Sequence, residues 1–196
     1  IGYIENNQRL VLVSGQYTLE LNSDQTFVRP TILSTTKTGG ILFRLGECYI
    51  WRLSLTGSGD YIMVSGQKYY IALKNITARD SKITHACSGV SKFLIVKDGV
   101  KVYEINPDDS TLWTGPSYAW EDIAILKLSA QENEAFDQVS AWDHYLVRTS
   151  SGSVYGWGKN KHLQVGIDSR EEYINEPTKL VMGNNFSQKN VTQQNS

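Results

Sequence analysis

The side chains best suited to proton transfer or metal binding near neutral pH are the three histidines, His85, His144 and His162. None stands in an HxxxH, HExxH or mixed Cys/His spacing, so the sequence predicts neither a zinc site nor any other metal, and no cofactor. Cys48 and Cys87 lie far apart inside apolar runs with no CxxC spacing, which reads as two buried thiols in a reduced compartment. There is no GxSxG elbow and no SxxK, and Gly156-Trp157-Gly158 lacks both the order and the following helix of a phosphate loop. The carboxylate pairs Asp108-Asp109 and Glu171-Glu172 fall in polar segments and read as solvated loop charge. The chain is therefore not expected to be an enzyme.

Non-covalent recognition is the chemistry that remains. Asn106 to Trp120, NPDDSTLWTGPSYAW, gathers Trp113, Tyr118 and Trp120 beside Asp108 and Asp109 between two strand-like runs. Aromatic rings next to polar groups on a loop bury large areas at small entropic cost, so these five residues form the candidate partner-binding set. Packing against neighbouring strands competes for Trp113 and Trp120, and Tyr118 is expected to be the most exposed of the three rings.

The elements that would position this loop are strands. Short apolar and β-branched runs such as VLVSG, YTLEL, YIMVSG, FLIVKDG and YLVRTSSG are punctuated by Gly, Asp and Asn. Asp98-Gly99 and Ser151-Gly152 have hairpin-turn chemistry, and Asn22 to Gln25 and Leu45-Gly46 are read as less ideal turns. Ala130 to Phe136, AQENEAF, is the best helical candidate. Tyr49, Tyr103 and Tyr155 close similar hairpins at a spacing of roughly 52 to 54 residues, a period that marks tandem repeats. A finer series of small residues, Gly15, Gly40, Gly66, Gly89, Gly115 and Ala141, suggests one hairpin per half-period. Together they predict an all-β, β-propeller-like fold of about three to four four-stranded blades, with an irregular sandwich or barrel as the competing reading. The near-continuous runs FLIV and IAIL fit strands packed on both faces. Residues 1–183 are read as the repeat domain and 184–196 as a polar tail or the start of a further blade.

The segment VSAWDHYLVRTSSGSVYGWGKNKHLQVGI, from Val139, followed by Pro177 and Val181, resembles a repeat of the regulator of chromosome condensation family. His144, Gly152, Val154, Tyr155, Trp157, Gly158, Asn160, Gln164, Gly166, Pro177 and Val181 match that pattern in order, and the resemblance assigns them structural roles within the repeat. For His144 the implied role is a hydrogen bond to a turn of the adjacent blade. The segment departs from the pattern at Leu163, where the family has Gly, at Val165, where it has Leu, and before Trp142, where either a Gly is missing or one residue is deleted. Upstream, ACSGVSKFLIVKDGVKVYE and TGGILFRLGECYIWRL are degenerate versions of the same frame. Members of this family are similar to closed rings of about seven blades, which implies either a longer propeller or a partner that completes this one. The resemblance also implies, as one option, nucleotide exchange on a Ran-like small GTPase.

The balance of 19 basic against 20 acidic residues, a formal charge of −1, removes the uniform positive field of most nucleic-acid binders, so no direct nucleic-acid partner is expected. Neither a signal peptide nor a membrane-spanning run is evident, and a cytoplasmic or nuclear address is expected. The first residue is Ile1, which reads as a processed or excised fragment. Sequons at Asn75, Asn185 and Asn190 would matter only in a secreted protein, where a glycan-binding propeller is the third option. The leading expectation is a protein-binding module or scaffold whose partner is another protein, either a small GTPase or the remainder of a propeller.

Overall fold

The computed structural model describes residues 2–5, 9–14, 17–22, 32–35, 39–44, 47–58, 61–64, 66–76, 82–116 and 120–181. The tail reading for 184–196 and the turn expected at Leu45-Gly46 lie outside the described residues. Among the described residues sixteen strands form four antiparallel sheets that follow one another along the chain, with two short helices beside them. The first blade is β1 (Gly2–Glu5), β2 (Arg9–Ser14) and β3 (Tyr17–Asn22). The second is β4 (Ile32–Thr35), β5 (Gly39–Arg44), β6 (Glu47–Ser54), β7 (Tyr61–Val64) and β8 (Gln67–Asn75), in the order β4-β5-β6-β8-β7. The third is β9 (Ile83–Ser88), β10 (Phe93–Lys97), β11 (Lys101–Ile105) and β12 (Ile125–Ser129), with α1 (Ser110–Thr114) and α2 (Trp120–Ile123) between its last two strands. The fourth is β13 (Phe136–Ala141), β14 (His144–Thr149), β15 (Val154–Lys159) and β16 (Tyr173–Lys179).

Tyr49, Tyr103 and Tyr155 sit on the third strands of the second, third and fourth blades, opposite Leu42, Ile95 and Val147. This common register defines equivalent positions, and the two faces of each blade then do different jobs. Ile41, Cys48 and Ile50 of the second blade pack against Phe93, Ile95 and Ile105 of the third, all essentially inaccessible to solvent. The opposite face of the third blade, Cys87, Leu94, Val96 and Val102, packs against Phe136, Tyr145, Val147 and Trp157 of the fourth. FLIV is buried throughout because alternate residues serve the two junctions. On the fourth blade the equivalent outward positions are Ser140, Leu146, Arg148 and Val154, which with Gln138 line an open concavity of about 180 Å³. Cores made by stacking sheets along the chain are the propeller arrangement rather than a single sandwich.

Several local expectations are corrected. Residues 130–135 are turn and irregular chain with Asn133 at φ 64, and Phe136 opens β13 by pairing with Thr149, so AQENEAF is not helical. Pairing with β14 overrides a weak local helix propensity. IAIL is not a strand buried on both faces, since Ile123 ends α2 while Ile125 and Leu126 are exposed on β12, the last strand of its sheet. The turn expected at Asn22 to Gln25 lies, past Asn22, outside the described residues. The half-period glycines do not mark equivalent places: Gly66 lies between β7 and β8, Gly40 within β5 and Gly115 at the end of α1. Among the described residues the four sheets hold three, five, four and four strands, in keeping with the expected three to four blades.

Burial pushes the Cys87 thiol up to about 12 and raises Cys48 further. Truncating Leu94, buried at the junction of the third and fourth blades, leaves a cavity between two sheets at once. Leu94→Ala is expected to cost about 2 to 5 kcal/mol, measured as a lower urea midpoint, and to make Cys87 react with a thiol reagent faster than Cys48.

Candidate protein-recognition face

Antiparallel connectivity brings four connections to one end of the third and fourth blades: 89–92, 106–124, 142–143 and 160–172. Residues 106–124 form the longest of them. Its helix α1 begins at Asp109, whose carboxylate accepts hydrogen bonds from Thr111 N at 2.9 Å and Thr111 Oγ1 at 2.7 Å. These bonds hold the Asp109 carboxyl below its usual range. Asp109 is thus occupied as a helix cap, while Asp108 is exposed.

The second blade braces this connection from below. Arg52 donates from Nη1 to the Pro107 carbonyl at 3.3 Å, and its guanidinium lies 4.6 Å from the centre of the Trp113 ring. Lys74 donates to the Gly115 carbonyl. Partial desolvation lowers both cations from their ordinary values, offset at Arg52 by the nearby Asp108 charge. Trp113 donates its indole N–H to Pro107 O at 2.7 Å and is half-buried.

Trp120 is 0 % exposed and meets Tyr103 edge to face at 5.5 Å. It is core, which removes it from any direct contact with a partner, contrary to its place in the candidate set. Beside it Glu121 pairs with Lys97 at 2.5 Å, which raises the lysine's pKa. Tyr118 lies outside the described residues. Of the five candidates, the structure leaves Asp108 and part of Trp113 at the surface and uses Asp109 and Trp120 internally.

The repeat residues of the fourth blade build the neighbouring connections. His144 places Nδ1 at 2.9 Å from Asp143, whose second oxygen lies 3.2 Å from Lys159 Nζ. His144 therefore ties its own turn together rather than bonding a turn of the adjacent blade. These contacts hold the Asp143 carboxyl below its usual range, with the His144 bond as the largest cause. Gly158 has φ 100 and lies so close to this turn that a Cβ would come within 2.7 Å of His144 Cα, so only glycine fits.

Asn160 is buried and organises the loop that follows, donating to Ile167 O at 3.2 Å and accepting from Val165 N at 3.3 Å. Gln164 accepts from His162 N at 2.8 Å, and Gly166 N donates to Leu163 O at 2.9 Å. Gly152 turns the β14–β15 hairpin at the opposite end, and Tyr155 is half-buried on β15. Leu163 has φ 58 and is 52 % exposed, a left-handed conformation at the position where the repeat pattern carries Gly.

Sequence reasoning missed the polar centre of this end. Glu104, 4 % exposed, accepts the Trp157 indole N–H at 3.2 Å across the blade junction and pairs with Lys92. Trp157 in turn stacks on Tyr145 at 5.4 Å. The available signal was a lone carboxylate in the strand KVYEI.

Residues 151–194 match the regulator of chromosome condensation (RCC1) repeat. The ultraviolet-B receptor UVR8 of Arabidopsis thaliana is 48% identical over 42 residues, 21% of this chain and 10% of that protein. Among solved structures, human WBSCR16 aligns with a TM-score of 0.56 at 17% identity, covering 82% of this chain and 42% of that one. A chain of the crystal structure of Kap60 bound to yeast RCC1 (Prp20) aligns at 0.53 and 16% identity, covering 80% and 36%. Prp20p from Saccharomyces cerevisiae aligns at 0.51 and 13% identity, covering 89% and 48%. The chain spans less than half the length of these structures, and its fold is that of their propeller blades.

Three measurements follow from this geometry. Glu104→Ala orphans the buried indole N–H and is expected to cost about 1 to 3 kcal/mol, whereas Glu104→Gln keeps an acceptor and costs clearly less; chemical denaturation separates the two. Because the Asp143 pKa is depressed on folding, its stabilisation is present above the unfolded value of about 3.9 and lost as pH falls below it. Asp143→Asn should flatten that acid limb in a pH series of unfolding midpoints. Leu163→Gly should raise stability by about 0.5 to 1 kcal/mol, the left-handed strain of about 1 to 2 kcal/mol less the entropic cost of glycine.

Proposed function

We propose that this chain, a run of β-propeller blades carrying a regulator of chromosome condensation repeat, is a protein-recognition module that acts by binding and makes or breaks no bond. The observation that carries this reading is the braced excursion 106–116. Arg52 and Lys74 of one blade hold it by its carbonyls, Asp109 caps its helix, and Asp108 stands exposed at its start. A surface loop pinned by a neighbouring blade and capped from within loses little entropy when a partner docks.

Two similar structures are of proteins that bind other proteins, yeast RCC1 (Prp20) bound to Kap60 and Prp20p with its binding to Gsp1p and histones. They support a protein as the partner class here, and a nuclear or cytoplasmic setting belongs to the same reading. Exchange on a Ran-like small GTPase is its finer form. A tryptophan platform for glycans has less support, since Trp51, Trp120 and Trp157 are at most 5 % exposed.

Capture of a candidate small GTPase, together with release of its labelled nucleotide, tests the proposal. Asp108→Ala should weaken capture about fivefold, roughly 1 kcal/mol, with an unchanged melting temperature and no effect on nucleotide release. Accelerated release by the wild-type chain would instead establish exchange, and full capture by Asp108→Ala would remove this loop from the interface.

A further inference from the structure

We propose that Trp142 is the anchor through which this face holds its partner, and that the partner offers an acidic segment with apolar side chains; the inference rests on reading the chain as a protein-recognition module. Trp142 is 62 % exposed, while Trp51, Trp120 and Trp157 are at most 5 % exposed and Trp113 is half-covered by its own loop. Beside it stands Val90, 48 % exposed, at the start of the facing turn of the third blade. A tryptophan standing in water exposes a large apolar area whose burial drives association, and such rings dominate interface energetics.

The mounting of Trp142 is as informative as its exposure. Val90 N donates to the Trp142 carbonyl at 2.7 Å and Trp142 N donates to the His144 carbonyl at 2.8 Å. Lys159 N donates to the Asp143 carbonyl at 3.0 Å, and a Cβ on Gly89 would come within 2.6 Å of the Trp142 carbonyl, so the facing turn is pressed against this one. The backbone that carries the ring is fixed by two blades, and only the ring's own torsions remain to be ordered on binding.

Charge specifies the partner. The two ion pairs flanking the ring turn their ammonium ends outward: Lys92 is 39 % exposed against 4 % for Glu104, and Lys159 is 47 % against 28 % for Asp143. Farther out, Lys161 and Glu172 are both well exposed and offset one another. Each pair is neutral overall, but its ammonium is the more exposed member, so carboxylates of a partner can reach Lys92 and Lys159 while its apolar side chains cover the ring.

The test uses fluorescence anisotropy with a fluorescein-labelled Leu/Glu peptide, its Leu/Lys counterpart as control, and the full chain. The Leu/Glu peptide is expected to bind, with affinity falling as salt rises. Trp142→Ala should weaken it at least about tenfold, Val90→Asp should weaken it through repulsion, and Lys159→Gln should flatten the salt dependence, all with wild-type melting temperatures. Equal affinity for Trp142→Ala, equal affinity for the Leu/Lys peptide, or no binding of either peptide overturns the proposal. Two failures are told apart by partner capture: a partner held equally well by the wild type and Trp142→Ala removes the anchor and leaves the module, whereas a wild-type chain that holds no protein removes the module itself.

Discussion

A buried carboxylate shared between two blades governs this molecule. Glu104 sits on the third strand of one blade and accepts the indole N–H of Trp157 from the third strand of the next, with Lys92 completing the pair. Greasy sheet faces slide over one another at little cost, because dispersion and hydrophobic burial are non-directional. A charge inside such a junction is tolerated only at the one offset where its partners meet it, since an unmet buried carboxylate is heavily penalised. The cluster therefore fixes the offset between blades, and the Tyr145 ring stacked on Trp157 extends that offset to the second strand.

With that offset fixed, the ends of the strands are fixed too, and the connections they carry become one surface. The turns at 89–92 and 142–143 touch through a backbone hydrogen bond. The longer connection 106–116 is braced from the second blade rather than from its own. The turn 142–143 and the connection 106–116 are thus each held in part by a blade other than the one that bears it, and share the rigidity of the stack.

The tyrosine spacing and the hairpin turns were legible because each depends on neighbours in sequence: Asp98 and Gly99 at φ 54 and 74 do what that dipeptide announces. Trp120 stands in a segment where loop exposure and blade packing compete, and it packs edge to face on Tyr103. Helix α1 is too short to show a period, and its only local sign is Asp109 followed by Thr111. Arg52 and Lys74 act on residues more than about 40 positions away, and no single-sequence pattern reports such a pairing. AQENEAF failed in the opposite direction, a local preference defeated by the pairing of Phe136 with Thr149.

The contact between Val90 N and the Trp142 carbonyl has one more consequence. It is written in atoms that every residue but proline possesses, at a seam where Gly89 and Gly158 must carry no side chain. Beyond those glycines and the Glu104–Trp157 cluster, such a seam asks little of the side chains around it. Repeats that have lost most of their shared letters, as the upstream ones here have, then remain the same building block, and kinship among them is better preserved in the path of the main chain than in the spelling of the sequence.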